Sequence, residues 1–253
     1  IAMGARYKLI IPNGYTTTEW IASEYGKGLG ILFQVVFAFS ALGLLSMTFT
    51  AIYKYINFIN VGNSALITGL IVLGTAIYSL RGGMKVSLLT GTIQTLMNFV
   101  LICALLYLGI SYLPDVDLAN FITGKKNVTD LFEPKLFISF AVSATLTFIT
   151  APMMSAAHHQ KSFSQQNKTP WKTWAWGGPA YFVMQTMIAT FGLLACAWGG
   201  QIADPSIGQL VFFNAIGVTA LALFGVILLN AGCMIIDAHG NAFASIIAHD
   251  FVK

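Results

Sequence analysis

Six stretches of the chain, 28–53, 56–80, 86–114, 136–157, 175–203 and 205–236, contain no Asp, Glu, Lys or Arg. Each is longer than the roughly 20 residues that an α-helix needs to cross the hydrocarbon of a bilayer. A chain in hydrocarbon must satisfy every backbone N–H and C=O internally, which leaves helices and closed barrels. None of the runs alternates apolar and polar residues with a period of two, so they predict helices rather than strands. The last three, 136–157, 175–203 and 205–236, are longer than a bilayer requires and predict tilt, kinks or interfacial ends. The expectation is an all-α membrane protein with six transmembrane helices. Residues 115–135 then form an outer loop, 1–27 and 158–174 lie in the cytoplasm, and 237–253 form the cytoplasmic end of the last helix.

That orientation follows from charge. Nine of the 13 lysines and arginines, among them Lys27, Arg81, Lys85 and Lys172, fall on one side of the alternating connections. Only Lys54, Lys125, Lys126 and Lys135 fall on the other. Cytoplasmic loops carry the excess of basic residues, which puts the N-terminal segment inside. The membrane is expected to be the plasma (inner) membrane. The "NVT" at Asn127 is then an outer glycosylation sequon if the cell is eukaryotic.

Composition excludes other classes. Only 9% of residues are charged, against about 25% in a soluble domain. A formal net charge of +4 is too sparse for a nucleic-acid surface. The partners expected are the lipid bilayer and a small-molecule solute. Cys103, Cys196 and Cys233 lie far apart in apolar runs and form no metal spacing or disulfide framework. In "HHQK", His158 and His159 diverge by about 100° on a helix, so this is no zinc motif. Trp171, Trp174 and Trp176 read as interfacial anchors. No phosphate loop, nucleophile elbow or haem spacing is present, so nothing supports an enzyme. The chain starts at Ile1 with no signal peptide, which predicts a piece of a longer protein.

Polar residues inside the runs fall on faces. Ser64, Thr68, Thr75 and Ser79 share a stripe about 60° wide. Ser87, Thr90, Gln94 and Asn98 share another, with Gly91 among them, and Ser139, Ser143 and Thr150 a third. In the last run Thr219, Asn230, Asp237 and Asn241 fall within about 40°. Small hydroxyl residues are commonly helix–helix glue. An acid within a span is costly and more often functional, so Asp237 is the leading candidate. His239 points to the opposite side and reads as solvated. In the fourth run Pro152 frees a backbone carbonyl and predicts a kink or a break. Broken helices at mid-membrane are a common way to build a transporter's substrate site.

Four segments together resemble the sodium/solute symporter family. "YTTTEWIASEYG", Tyr15–Gly26, is similar to its Y-T-x-x-E-[FW]-[IL]-x-x-R-[YF]-G segment. "YSLRGGMKVSLLTGTIQ", Tyr78–Gln94, is similar to Y-T-x-x-G-G-[LM]-x-A-V-x-x-T-D-x-[IV]-Q. "HHQKSFS", His158–Ser164, resembles the V-Q-R-x-[LF]-A segment after a broken helix. "NAGCMIIDAHGNAFASIIAHDFVK", Asn230–Lys253, is similar to S-T-A-D-S-x-L-N followed by a distal Asp. Asp237, Asn241 and Asp250 meet the Asp, the Asn and the final Asp.

The resemblance implies a five-plus-five inverted-repeat core like that of the bacterial leucine transporter. The six spans would be its third to eighth helices. The first two and last two core helices, the remaining helices of the same transporter, would be missing, so this chain alone should not transport. The implied function is secondary, symporter-like transport of a small polar organic solute. Ser46, Thr48, Thr147, Thr150 and Asn230 would line the substrate site. Asp237, Asn241, Met234, Ile235, Thr90 and Gln94 would serve ion coupling or gating.

The departures bear on the coupling ion, Na+ or H+. Met234 and Ile235 stand where the family places sodium-ligating hydroxyls, and a hard cation needs oxygen ligands. Gly91 replaces an Asp and Lys161 an Arg. These changes count against sodium at the usual site. Asp237 is then the candidate to carry a proton, because burial disfavours the charged form of a carboxyl group. The alternative function is a transporter-like sensor module fused to a signalling domain, where coupling is dispensable.

Overall fold

The computed structural model describes residues 16–113, 142, 155, 157–158, 170–198 and 204–248, and every regular element among them is helical. Helix α1, Thr17–Tyr25, starts where the Thr16 hydroxyl accepts the Glu19 N–H at 3.3 Å. That side chain satisfies one of the donors a helix N-terminus leaves open. Gly26, at φ +92°, ends α1, and helix α2, Lys27–Phe58, begins at the next residue. The two helices then lie so close that a Cβ on Gly30 would stand 2.6 Å from the Ala22 Cβ.

The second expected span, 56–80, begins instead at Ser64. Asn60 and Gly62 both take positive φ, 53° and 59°, and this turn interrupts the apolar run. The Asn63 side chain then accepts the Leu66 N–H at 3.1 Å and caps helix α3, Ser64–Ser111. Gly83, at φ 58° and ψ −164°, divides α3 into two arms, where the sequence predicts the basic connection 81–85.

Helix α4 covers Pro170–Trp198. The run 205–236, expected as one span, is divided. A short 3-10 turn at Pro205–Ile207 leads into α5, Gly208–Ile216, and then Gly217, at φ +140°, separates α5 from α6, Val218–Ile246. A charge-free run reports apolar length only, and a glycine in an L-forbidden conformation can cut it. Asp237 accordingly lies inside α6 rather than at its end.

Among the described residues four segments are long and apolar enough to cross a bilayer: Lys27–Phe58, Val86–Ser111, Gly177–Trp198 and Val218–Ile246. Ser64–Ser79 is apolar but shorter. The expected fourth span, 136–157, lies outside the described residues except for Val142, Ser155 and Ala157.

The chain divides into two compact units. In 99–151 with 183–227, rings fill the core. Phe213 stacks on Phe224 at 4.9 Å and meets Phe191 edge-on at 5.1 Å. Such pairs contribute about 0.5–1.5 kcal/mol each beyond area burial. In 1–98 with 152–182 and 228–253, α6 is the axis. Lipid tails are as apolar as leucine, so close packing and interhelical hydrogen bonds must hold helices together, and α6 shows both. Gly232 lets α2 approach until its absent Cβ would lie 2.8 Å from Ile52 Cδ1 and 3.3 Å from Thr48 Cγ2. Ala238 and Ala242 form a small buried cluster with Ala157. The first arm of α3 runs parallel to α6, Thr75 meeting Cys233 and Ser79 meeting Asp237. The second arm runs antiparallel, Thr95 meeting Met234 and Asn98 meeting Asn230.

Candidate functional site: a buried carboxyl on α6

Asp237 is only 2% exposed. Its Oδ1 receives the Ser79 hydroxyl at 2.5 Å and the Asn241 amide at 3.0 Å. Asn241 is placed by helix geometry, since residues four apart share a face. Ser79 is placed by the first arm of α3, whose stripe of Ser64, Thr68, Thr75 and Ser79 is buried throughout. Thr68 and Thr75 return their hydroxyls to the carbonyls of Ser64 and Ile71, at 2.7 and 2.8 Å. Thr75 also approaches Cys233 Sγ at 3.3 Å. The Tyr78 ring stands within electrostatic reach of Asp237 and Cys233. Among the described residues no cation pairs with Asp237. Among the described residues the carboxyl is therefore held by neutral donors alone.

The other expected positions divide into those the fold gathers around α6 and those it uses otherwise. Asn230 is present on the same face, and its amide donates to Asn98 Oδ1 at 3.2 Å, so it works between helices. Thr48 is buried against Gly232 with its hydroxyl returned to the Leu44 carbonyl at 2.8 Å. Ser46 lies on the adjacent face of α2, on the wall of a groove. Met234 turns toward the second arm, its sulfur 3.9 Å from the Thr95 hydroxyl. Ile235 is exposed. Thr90 bonds back to the Val86 and Ser87 carbonyls at 2.9 and 3.2 Å. Gln94 Oε1 is buried with no hydrogen-bond partner among the described residues. Thr147, Thr150, Pro152, Lys161 and Asp250 lie outside the described residues.

Ser79 was legible as part of a stripe, but nothing in the sequence ties it to Asp237, because the contact depends on the arm's register with α6. His239, expected to be solvated, is instead buried at 9% exposure. Compared with protein-family models, with curated proteins and with solved structures, the chain matches none.

Proposed function

We propose that the chain is part of a secondary active transporter for a small organic solute, a divergent relative of the sodium/solute symporters with an inverted-repeat core. Asp237 is the coupling residue and a proton the coupling ion. The observation that carries this reading is a buried aspartate on a central apolar helix, held by Ser79 and Asn241 and, among the described residues, by no cation. Ionisable groups in such positions are expensive and mark ion or solute pathways. The unpartnered Gln94 Oε1 adds a buried acceptor that a solute or a water can satisfy. The side chains of Met234 and Ile235 supply no oxygen ligand, which argues against sodium at the family's usual site.

The test is uptake of a solute panel by the full-length protein in proteoliposomes, under imposed proton and sodium gradients separately. Proton-driven uptake that Asp237→Asn abolishes is the expected outcome. Sodium-driven uptake that survives Asp237→Asn overturns the assignment of the coupling ion. Solute binding with no uptake under either gradient favours a sensor module.

A further inference from the structure

A groove of about 530 Å³ runs between α2, the first arm of α3 and the C-terminal part of α6. Small-molecule sites commonly have volumes of about 300–1,000 Å³. Its walls are apolar, with Phe49, Val72 and Phe243 among them, and among the described residues only two hydroxyl groups, Ser46 and Ser79, interrupt them. Gly240 opens one wall. A Cβ built there would meet nothing within 4 Å, so the missing side chain, not backbone crowding, leaves the space free.

The polar end of this groove has a definite sense. A serine hydroxyl has one proton and two lone pairs. Ser79 commits that proton to Asp237 Oδ1. What it shows the groove is therefore acceptor only, with the Asp237 carboxyl directly behind it. The Ser46 hydroxyl on the facing wall has no partner among the described residues, so it can accept as well. An anion placed there can take only the Ser46 proton, and at Ser79 it meets lone pairs with a carboxyl group behind them. An uncharged apolar molecule leaves both hydroxyls unused. A head group that donates protons and carries positive charge satisfies all three, and charge-assisted hydrogen bonds are about twice as strong as neutral ones.

We infer that this groove binds a primary or secondary organic ammonium with an apolar alkyl or aryl body. The nitrogen donates to Ser79 Oγ, and through it the positive charge is stabilised by Asp237. This deepens the transporter reading by naming the solute's chemistry, yet it concerns binding and stands or falls without transport.

Isothermal titration of the full chain in lipid nanodiscs tests it, with 2-phenylethylammonium, the uncharged 2-phenylethanol and the anionic 3-phenylpropanoate as probes. The ammonium is expected to bind at least tenfold more tightly than the alcohol, with the carboxylate not binding. Gly240→Leu, which fills the groove, is expected to abolish binding. Asp237→Asn is expected to weaken the ammonium at least tenfold and leave the alcohol unchanged. The wild-type comparison of the three probes needs no variant, so a misfolded mutant does not spoil the test. Equal binding of ammonium and alcohol overturns the inference and makes the groove a seat for a lipid chain. Absence of ammonium binding at millimolar concentration also overturns it. Ammonium binding with no uptake in proteoliposomes leaves the site standing and rejects only the transport reading.

Discussion

The terminal methyl of Met234 reaches to 4.0 Å from the point where a Cβ on Gly91 would stand. Two positions that depart from the family's pattern are therefore neighbours in space. Where the resemblance puts a hydroxyl opposite an acid, this chain puts a thioether opposite a bare backbone. Oxygen ligands are what a hard cation requires. Addition of sodium, with potassium as control, is therefore expected to leave the melting temperature of the purified protein unchanged to within about 1 °C, since only a bound ligand shifts it. A sodium-specific rise of several degrees, read by thermal unfolding in detergent, contradicts this.

Asp237 has separable structural and charge roles. Asp237→Asn keeps an oxygen to receive the Ser79 and Asn241 donors, so stability is expected to stay within about 1 kcal/mol of wild type. Asp237→Ala strands both donors, and leaving buried polar groups unpaired costs about 1–3 kcal/mol. Both variants are expected to lose proton-driven uptake. Denaturant unfolding alongside flux assays distinguishes the two roles.

The Asn98–Asn230 pair, at 3.2 Å, bridges α6 and the second arm of α3. Interhelical hydrogen bonds in membranes average about 0.6 kcal/mol by double-mutant cycle. Asn98→Ala, Asn230→Ala and the double variant are expected to show a coupling energy of that size. A coupling energy indistinguishable from zero means that the pair is incidental and frees Asn230 for a solute.

Gly30 has no room for a side chain, because the neighbour at 2.6 Å is the Ala22 Cβ, which has no rotamer to move. Gly30→Ala must lift α1 from α2, and overpacking of this kind costs about 1–3 kcal/mol. The residue that reports it is Trp20, on α1. Its fluorescence is expected to shift to the red as α1 loosens, with α2 left helical by circular dichroism.

Helical character and membrane length were legible because absence of charge over about 20 residues has few other causes. The stripe from Ser64 to Ser79 was legible from helical period alone, and every member is buried. Helix ends were less so. Nothing in an apolar run marks that Asn60, Gly62 or Gly217 will take positive φ, since glycine also sits in helix interiors. Asp237 stood out because an acid in such surroundings is rare, but its partner Ser79 did not. The two are 158 residues apart, and their meeting depends on tertiary register, which periodicity does not encode. Thr48 and Asn230 share hydroxyl or amide chemistry with solute ligands, and their contacts to Gly232 and Asn98 likewise depend on tertiary register.

The reversal at Gly83 also has a mechanical consequence. One arm of α3 travels with α6 and the other against it, and they are joined end to end at the glycine. A one-turn slide of α6, about 5.4 Å, would part Asp237 from Ser79 and Asn230 from Asn98 in the same stroke. The two arms thus act as a splint on either side of the acid. Any displacement of α6 that keeps both contacts must therefore carry the two arms with it.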